Sequence, residues 1–164
     1  CAAHLEQFGG HMYAAGMTMA PENYDAFKAK FEKVVSATIT EEQLTPVIVY
    51  DEELLLSEIT DKFYRIMKQM APFGPDNMAP VFLSKNLVNA GRTKIVGGDK
   101  THLKLHLLDP ETNISIHGIG FGFGPWEEDI CSGCPVDILY HIEENEWQGN
   151  VSKQLRILDI KSSL

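Results

Sequence analysis

Gly9, Gly10 and His11, with Phe8 before them and Met12-Tyr13-Ala14-Ala15-Gly16 after, are the first residues whose types and spacing could do chemistry together. Adjacent glycines carry no Cβ, so their backbone amides can come close to a bound group. Amides at a turn, with an imidazole beside them, suit an anionic oxygen such as that of a phosphate. Spacing alone equally fits a helix stop followed by a histidine that packs or faces solvent. A second group is basic. Lys85, Arg92, Lys94, Lys100 and Lys104 lie close together, with His102 and His106 among them and Asp99 opposing them. Such a group can hold the phosphates of a nucleic acid, or be a set of solvated strand residues. A third group is Cys131-Ser132-Gly133-Cys134, which has ligand spacing but neither a second cysteine pair nor a nearby histidine pair. Structural zinc takes four ligands, and a redox motif would open a helix where Pro135 follows here, so metal and redox chemistry are disfavoured.

Composition sets the bounds. The chain has 164 residues, 44% hydrophobic and 23% charged, as in globular proteins. Its net charge of −9 argues against coating nucleic acid by bulk electrostatics, so any basic face is local. Acid gathers instead at Glu41-Glu42, Asp51-Glu52-Glu53, Glu127-Glu128-Asp129 and Glu143-Glu144. The three cysteines make no disulfide framework, and reduced, cytoplasmic thiols are the expectation. No apolar run approaches the length of a membrane span, and no leader is recognisable. The chain opens at Cys1, in what reads as the middle of a helix, so it is expected to be a piece of a longer protein.

The elements that must position these residues follow from periodicity. Residues 1–8 read as a helix tail stopped by Gly9-Gly10, and 14–20 as a short strand. A helix follows, with Asn23 as N-cap and Tyr24, Phe27, Phe31, Val34 and Val35 on one face, read as core. Val47 to Tyr50 is strand-like. Ser57 or Thr60 caps a further helix with Ile59, Phe63, Ile66, Met67 and Met70 as its stripe. Pro72-Phe73-Gly74-Pro75 breaks that helix and marks the expected domain boundary, between 1–71 and 72–164.

Beyond it the pattern is all-β. Val81-Phe82-Leu83 begins a strand that bends at Gly91 and runs on through Lys94-Ile95-Val96 to the turn at Gly97-Gly98-Asp99. Residues 102–108 alternate, with Leu103, Leu105 and Leu107 against Lys104 and His106. Asp109 to Asn113 is a hairpin turn. Residues 114–123 alternate again, with Ile114, Ile116 and Ile119 apolar and glycines allowing curvature. A helical turn at 126–130 precedes a strand over 136–143, a turn over 145–149, and a last strand over 151–160 with Leu155, Ile157 and Leu158 inward. Five strands with a helical link after the third predict an OB-type Greek-key barrel. Such barrels bind single strands through basic and aromatic side chains, here Arg92, Lys94, His102, Lys104, Phe121 or Phe123, and Trp147. Trp147 reads equally as a core residue of the closing turn.

Five stretches together resemble the C-terminal part of the RecJ family, bacterial single-strand-specific DNA exonucleases of the DHH phosphoesterase superfamily. They are Phe8-Gly9-Gly10-His11 with Ala14-Ala15-Gly16; Pro72-Phe73-Gly74-Pro75 with Asn77 and Pro80-Val81-Phe82; His102-Leu103-Lys104-Leu105; Glu146-Trp147-Gln148-Gly149-Asn150; and Gln154-Leu155-Arg156-Ile157. Gly-Gly-His is shared across the superfamily, while its combination with the proline joint and barrel stretches is specific to RecJ. The resemblance implies an α+β chain: the end of an α/β DHH-associated domain, then a five-stranded OB barrel. It implies that Gly9, Gly10 and His11 hold the substrate phosphate, with His11 stabilising it rather than ligating metal. It places manganese or magnesium in a DHH domain that this sequence lacks, so that the piece alone is expected to hold no cofactor and to be inactive. The parent would digest single-stranded DNA from the 5′ end in repair and recombination, with the barrel guiding the strand. Two other readings stay open: a barrel that docks protein, such as single-strand-binding protein, and a superfamily phosphoesterase acting on short oligonucleotides or RNA. No membrane partner is expected.

Overall fold

Leucine at every second position of 102–108 demands a strand with one buried face, and the computed structural model, which describes residues 1–163, places Leu103, Leu105 and Leu107 wholly inside. The chain forms two compact units, dividing between Ile48 and Val49. Among the described residues no helix is long and apolar enough to cross a membrane.

In the first unit β1 (Gln7–His11) and β2 (Ala14–Thr18) form an antiparallel hairpin, followed by α1 (Tyr24–Thr38) and α2 (Glu41–Leu44). The expected helix tail is instead a short 3-10 turn over Ala2–His4 and then β1. Glycines are poor helix formers, and here they face a partner strand made of equally small residues, Gly9 opposite Gly16 and Gly10 opposite Ala15. Asn23 does precede α1, but makes no capping bond through its side chain. The α1 stripe is not core: no α1 residue is buried, and Tyr24, Phe31 and Val34 are exposed. A two-stranded hairpin offers too little surface to cover a helix face of that length. α2 was not expected, although Thr40-Glu41-Glu42-Gln43 is a capping box. The Thr40 hydroxyl accepts from the Gln43 amide (3.3 Å) while the Gln43 side chain accepts from the Thr40 amide (3.0 Å).

The second unit is a closed sheet. Its strands are β3 (Glu52–Glu53), β4 (Phe82–Asn89), β5 (Lys94–Val96), β6 (His102–Asp109), β7 (Ile114–Gly120), β8 (Val136–Trp147) and β9 (Asn150–Ser162). β4 pairs with β8 on one side and β6 on the other, so the circuit β4-β8-β9-β7-β6-β4 closes. Every pairing in it is antiparallel except that of β7 with β9. Seven strands stand where five were expected, because the chain bends out between β4 and β5 and because β3 adds an edge beside β4. α4 (Glu127–Cys131) links β7 to β8.

Val47 to Tyr50 is irregular rather than a strand; pairing begins at β3, where the Asp51 amide donates to the Val81 carbonyl (2.8 Å). From there the chain belongs to the barrel rather than ending a separate domain at residue 71. Leu54, Leu56, Ile59 and Met67 are buried in the barrel core, and Phe63 packs edge-on to Phe82 (5.7 Å between centroids). α3 (Asp61–Lys68) is capped by Thr60, whose hydroxyl accepts from the Phe63 amide (3.1 Å). Its stripe is only half buried, since Ile66 and Met70 are exposed. Lys153 fastens the start of α3 to β9, donating to the Ile59 carbonyl and to Asp61 (both 2.8 Å).

Two bulges explain where alternation misled. Between Leu139 and Tyr140 the β8–β9 register slips, so that Leu158 is the extra residue and Ile160, not Leu158, follows Ile157 into the core. In β4 the bulge at Asn86, at φ 56°, is held by Asp137, which accepts from the Asn86 amide (3.0 Å). In β7 the inward positions are Ile116, Gly118 and Gly120, and Ile119 points outward. Those glycines answer close approach: a Cβ on Gly118 would stand 3.2 Å from the Leu155 carbonyl oxygen, and one on Gly120 would stand 2.9 Å from the Phe123 ring.

Leu105→Ala empties a fully buried position and is expected to cost about 3 kcal/mol, whereas Ile119→Ala on the outer face costs under about 1 kcal/mol. Chemical denaturation of the two variants checks this; equal losses would mean that the faces of β6 and β7 are assigned wrongly.

Candidate nucleic-acid interface

Register alone builds one side of the barrel. Lys94 of β5 lies opposite Lys104 of β6, Lys104 opposite Ile119 of β7, Ile119 beside Arg156 of β9, and Arg156 opposite His141 of β8. Directly paired residues share a sheet face, and strands lie about 4.8 Å apart, so the row from Lys94 to Arg156 spans roughly 14 Å. Like charges directly opposite each other, as Lys94 and Lys104 are, destabilise a sheet unless an anion separates them. Among the described residues neither has a carboxylate within ion-pair distance, whereas Lys68, Lys85, Lys153, Arg156 and Lys161 each have one. Arg156 pairs with Glu143 at 3.4 Å, and both remain substantially exposed.

Aromatic groups flank this row. Phe121, 57% exposed, meets the His102 ring edge-on at 5.2 Å, and His102 Nδ1 accepts from the Gly122 amide (3.3 Å). Asp99 shapes the turn that leads to His102. The hydroxyl and amide of Thr101 hydrogen-bond its carboxylate and hold it below the usual range. Trp147, at the tip of the β8–β9 hairpin, is 70% exposed, so it is not part of a core at that turn. The tip needs Gln148 and Gly149 at positive φ (50° and 78°), and this tight reversal leaves the indole outside. A hollow of about 390 Å³ on this side is bounded by Lys104, Ile119, Phe121, Asn145, Trp147 and Gln154. Phe123 turns the other way and packs against the core.

Of the residues singled out in the sequence, Lys104, Phe121 and Trp147 share that hollow, and Lys94 and His102 adjoin it through strand pairing and the Phe121 ring. Arg92 is exposed in the segment between β4 and β5, and its charge acts on His106. Gly9, Gly10 and His11 belong to the other unit, where the glycines are strand residues and the turn is Met12-Tyr13. A Cβ on Gly10 would collide with the Ala14 carbonyl oxygen at 2.7 Å, while one on Gly9 would meet nothing. His11 is exposed, its Nδ1 accepting a long bond from the Tyr13 amide (3.4 Å). Arg156, Ile119, Asn145 and Gln154 were not singled out. Their signal lies in pairing: Leu155 and Ile157 are buried, so Arg156 must face outward, and only the parallel β7–β9 register brings it beside Ile119.

Among the described residues no three His, Cys, Asp or Glu side chains are grouped so as to hold a metal ion. These residues therefore do not fit a manganese or magnesium centre. Cys131 and Cys134 are exposed thiols, the latter accepting from the Ser132 hydroxyl (3.3 Å).

The barrel has its counterpart among known families: the family model described as the RecJ OB domain matches residues 50–159. The chain belongs to that family. It is 32% identical over 159 residues to the single-stranded-DNA-specific exonuclease RecJ of Bacillus subtilis, covering 97% of this chain and 20% of that protein. It is 28% identical to the enzyme of the same name from Haemophilus influenzae, over 92% of this chain and 26% of that one. The chain thus spans about a fifth to a quarter of the length of these RecJ relatives. The crystal structure of Thermus thermophilus RecJ in complex with Mn2+ superposes with a TM-score of 0.70 at 21% identity, over 99% of this chain and 22% of that one. That likeness is one of fold.

Proposed function

We propose that this chain is the substrate-handling portion of a metal-dependent, 5′-to-3′ single-stranded-DNA exonuclease acting in repair and recombination. In this reading the manganese or magnesium and the hydrolytic residues belong to a DHH domain outside the sequence, and the piece by itself does not cut. The observation that carries the reading is Lys94 set directly opposite Lys104 with neither neutralised by a carboxylate among the described residues. A phosphodiester backbone laid across β5, β6 and β7 supplies the missing anions. Arg156 extends the row, Arg92 and His102 border it, and Phe121 and Trp147 offer faces on which unpaired bases stack. Membership of the RecJ OB family and the exonuclease activity for which the relatives are named support the same reading.

The Gly-Gly-His hairpin takes the second role. Gly9 has open space where a side chain would stand, so a phosphate can come up to the backbone there, and the exposed His11 ring beside it can donate to an anionic oxygen. This gives a role to an exposed histidine whose ring otherwise meets Tyr13.

Two experiments test the reading. In the exonuclease that contains this chain, His11→Ala is expected to lower turnover about a hundredfold with folding intact; an unchanged rate removes the phosphate role. For the barrel, the double change Lys94→Ala and Lys104→Ala is expected to flatten the dependence of log affinity for single strands on log salt by about 1.4, the loss of two phosphate contacts. An unaltered slope means that the strand runs elsewhere. Salt-insensitive or absent binding by the unaltered chain turns the barrel toward docking a protein, such as single-strand-binding protein.

A further inference from the structure

Next to the row of cations lies a pair of rings that the reading above does not use. His106 of β6 and His117 of β7 are directly paired, and their imidazoles stack at 4.4 Å between centroids with 19° between planes. The two rings differ in surroundings. His106 Nε2 lies 3.2 Å from the Ser115 hydroxyl, while its Nδ1 is buried with no partner. Burial and neighbouring charge outweigh an Ala90 backbone contact that favours a proton on this ring. Burial, then His117, then Arg92 push its proton affinity down accordingly. His117 is exposed and rests on this neutral ring as on a platform.

Four cations lie on the strands around the pair. Arg92 comes from the segment before β5, Lys104 from the same face of β6, Lys94 from β5 opposite it, and Arg156 from β9 beside Ile119. Of the carboxylates along these strands, Glu143 offsets Arg156 at 3.4 Å and Glu127 accepts from the Ile95 amide. Along β7, His117 lies two residues from Ile119 and four from Phe121, so the outer face continues for roughly 13 Å beyond the stacking residue.

Resting on the reading that this face takes single-stranded DNA, we propose that His117, propped on His106 and accompanied by Arg92, is a backbone-phosphate contact that takes up a proton when the strand binds. His117 is an exposed imidazole on this face. A phosphate laid against it reverses the local sign and favours imidazolium, whose N–H then donates a charge-assisted hydrogen bond to the phosphate oxygen. The sign follows: the bound form holds more protons, so affinity rises as pH falls and the gain is lost as pH climbs through the bound ring's titration. His106 does not titrate in this scheme; it fixes the position of His117.

The test is fluorescence anisotropy of a labelled oligothymidylate with the whole chain at about pH 6 and about pH 8, at two salt concentrations. The unaltered protein is expected to bind several-fold tighter at the lower pH, up to about tenfold for one unit of displaced titration. His117→Gln, at an exposed position, is expected to abolish most of that difference and to lower the salt slope at the lower pH by about 0.7, the loss of one phosphate contact. His106→Phe, which retains a flat ring under His117, keeps the pH response. A response undiminished in His117→Gln overturns the proposal and assigns the proton to another histidine, such as His102. Salt-sensitive binding with no pH response in the unaltered protein also overturns it, leaving the reading of the face intact. Absence of single-strand binding overturns both.

Discussion

The parallel pairing of β7 with β9 is the contact on which the second unit depends. Every other step of the circuit joins antiparallel neighbours, and this parallel step carries the chain's last strand across to β7. It requires Gly118, because a side chain there would press on the Leu155 carbonyl oxygen at 3.2 Å. Closure inward seats Leu105, Leu107, Tyr140, Ile142, Leu155 and Ile157 in one core. Closure outward sets Arg156 beside Ile119 and so completes a row of cations that no single strand carries. Packing and the proposed binding surface are therefore two faces of one register.

The interior polar groups show how the same barrel tolerates irregularity. Tyr140 is buried and its phenol is pushed up to about 12 by that burial, yet its hydroxyl meets Ser84 at 2.9 Å, and Ser84 in turn donates to the Leu54 carbonyl oxygen at 2.6 Å. Asp137 is likewise desolvated, but the Ser163 hydroxyl, the Asn86 amide and Lys161 outweigh burial and hold its carboxyl below the usual range. These bonds tie the chain before α3 and the end of β9 into the barrel, which is why the unit begins near residue 49 rather than at the proline joint.

Much of this was legible beforehand, and the failures have identifiable causes. Strict alternation in residues 102–108, the hairpin turn at Asp109 and the helical link after β7 rest on local chemistry and stand where the sequence put them, and of the two cap candidates, Ser57 and Thr60, the structure uses Thr60. What failed needed information from another strand. Leu158 is expected inward because a bulge opposite Leu139 is invisible in one strand, and no local signal separates outward Ile119 from inward Ile116. The α1 stripe was read as core on a helical period that says which face is apolar but not whether anything covers it. At the site, Lys94, Lys104, Phe121 and Trp147 were visible as residue types, whereas Arg156 and the His106–His117 stack emerge only from pairing.

The central claim is that the outer face of β5, β6 and β7, with the β8–β9 tip, receives single-stranded DNA. Mapping backbone-amide chemical shifts of the whole chain on addition of an oligothymidylate tests it most directly. The account predicts perturbations clustered at Lys94, Lys104, His117, Ile119, Phe121 and Trp147, with duplex of the same length producing little change. Perturbations confined to α3 and the opposite side of the barrel, or none at saturating oligonucleotide, would contradict it.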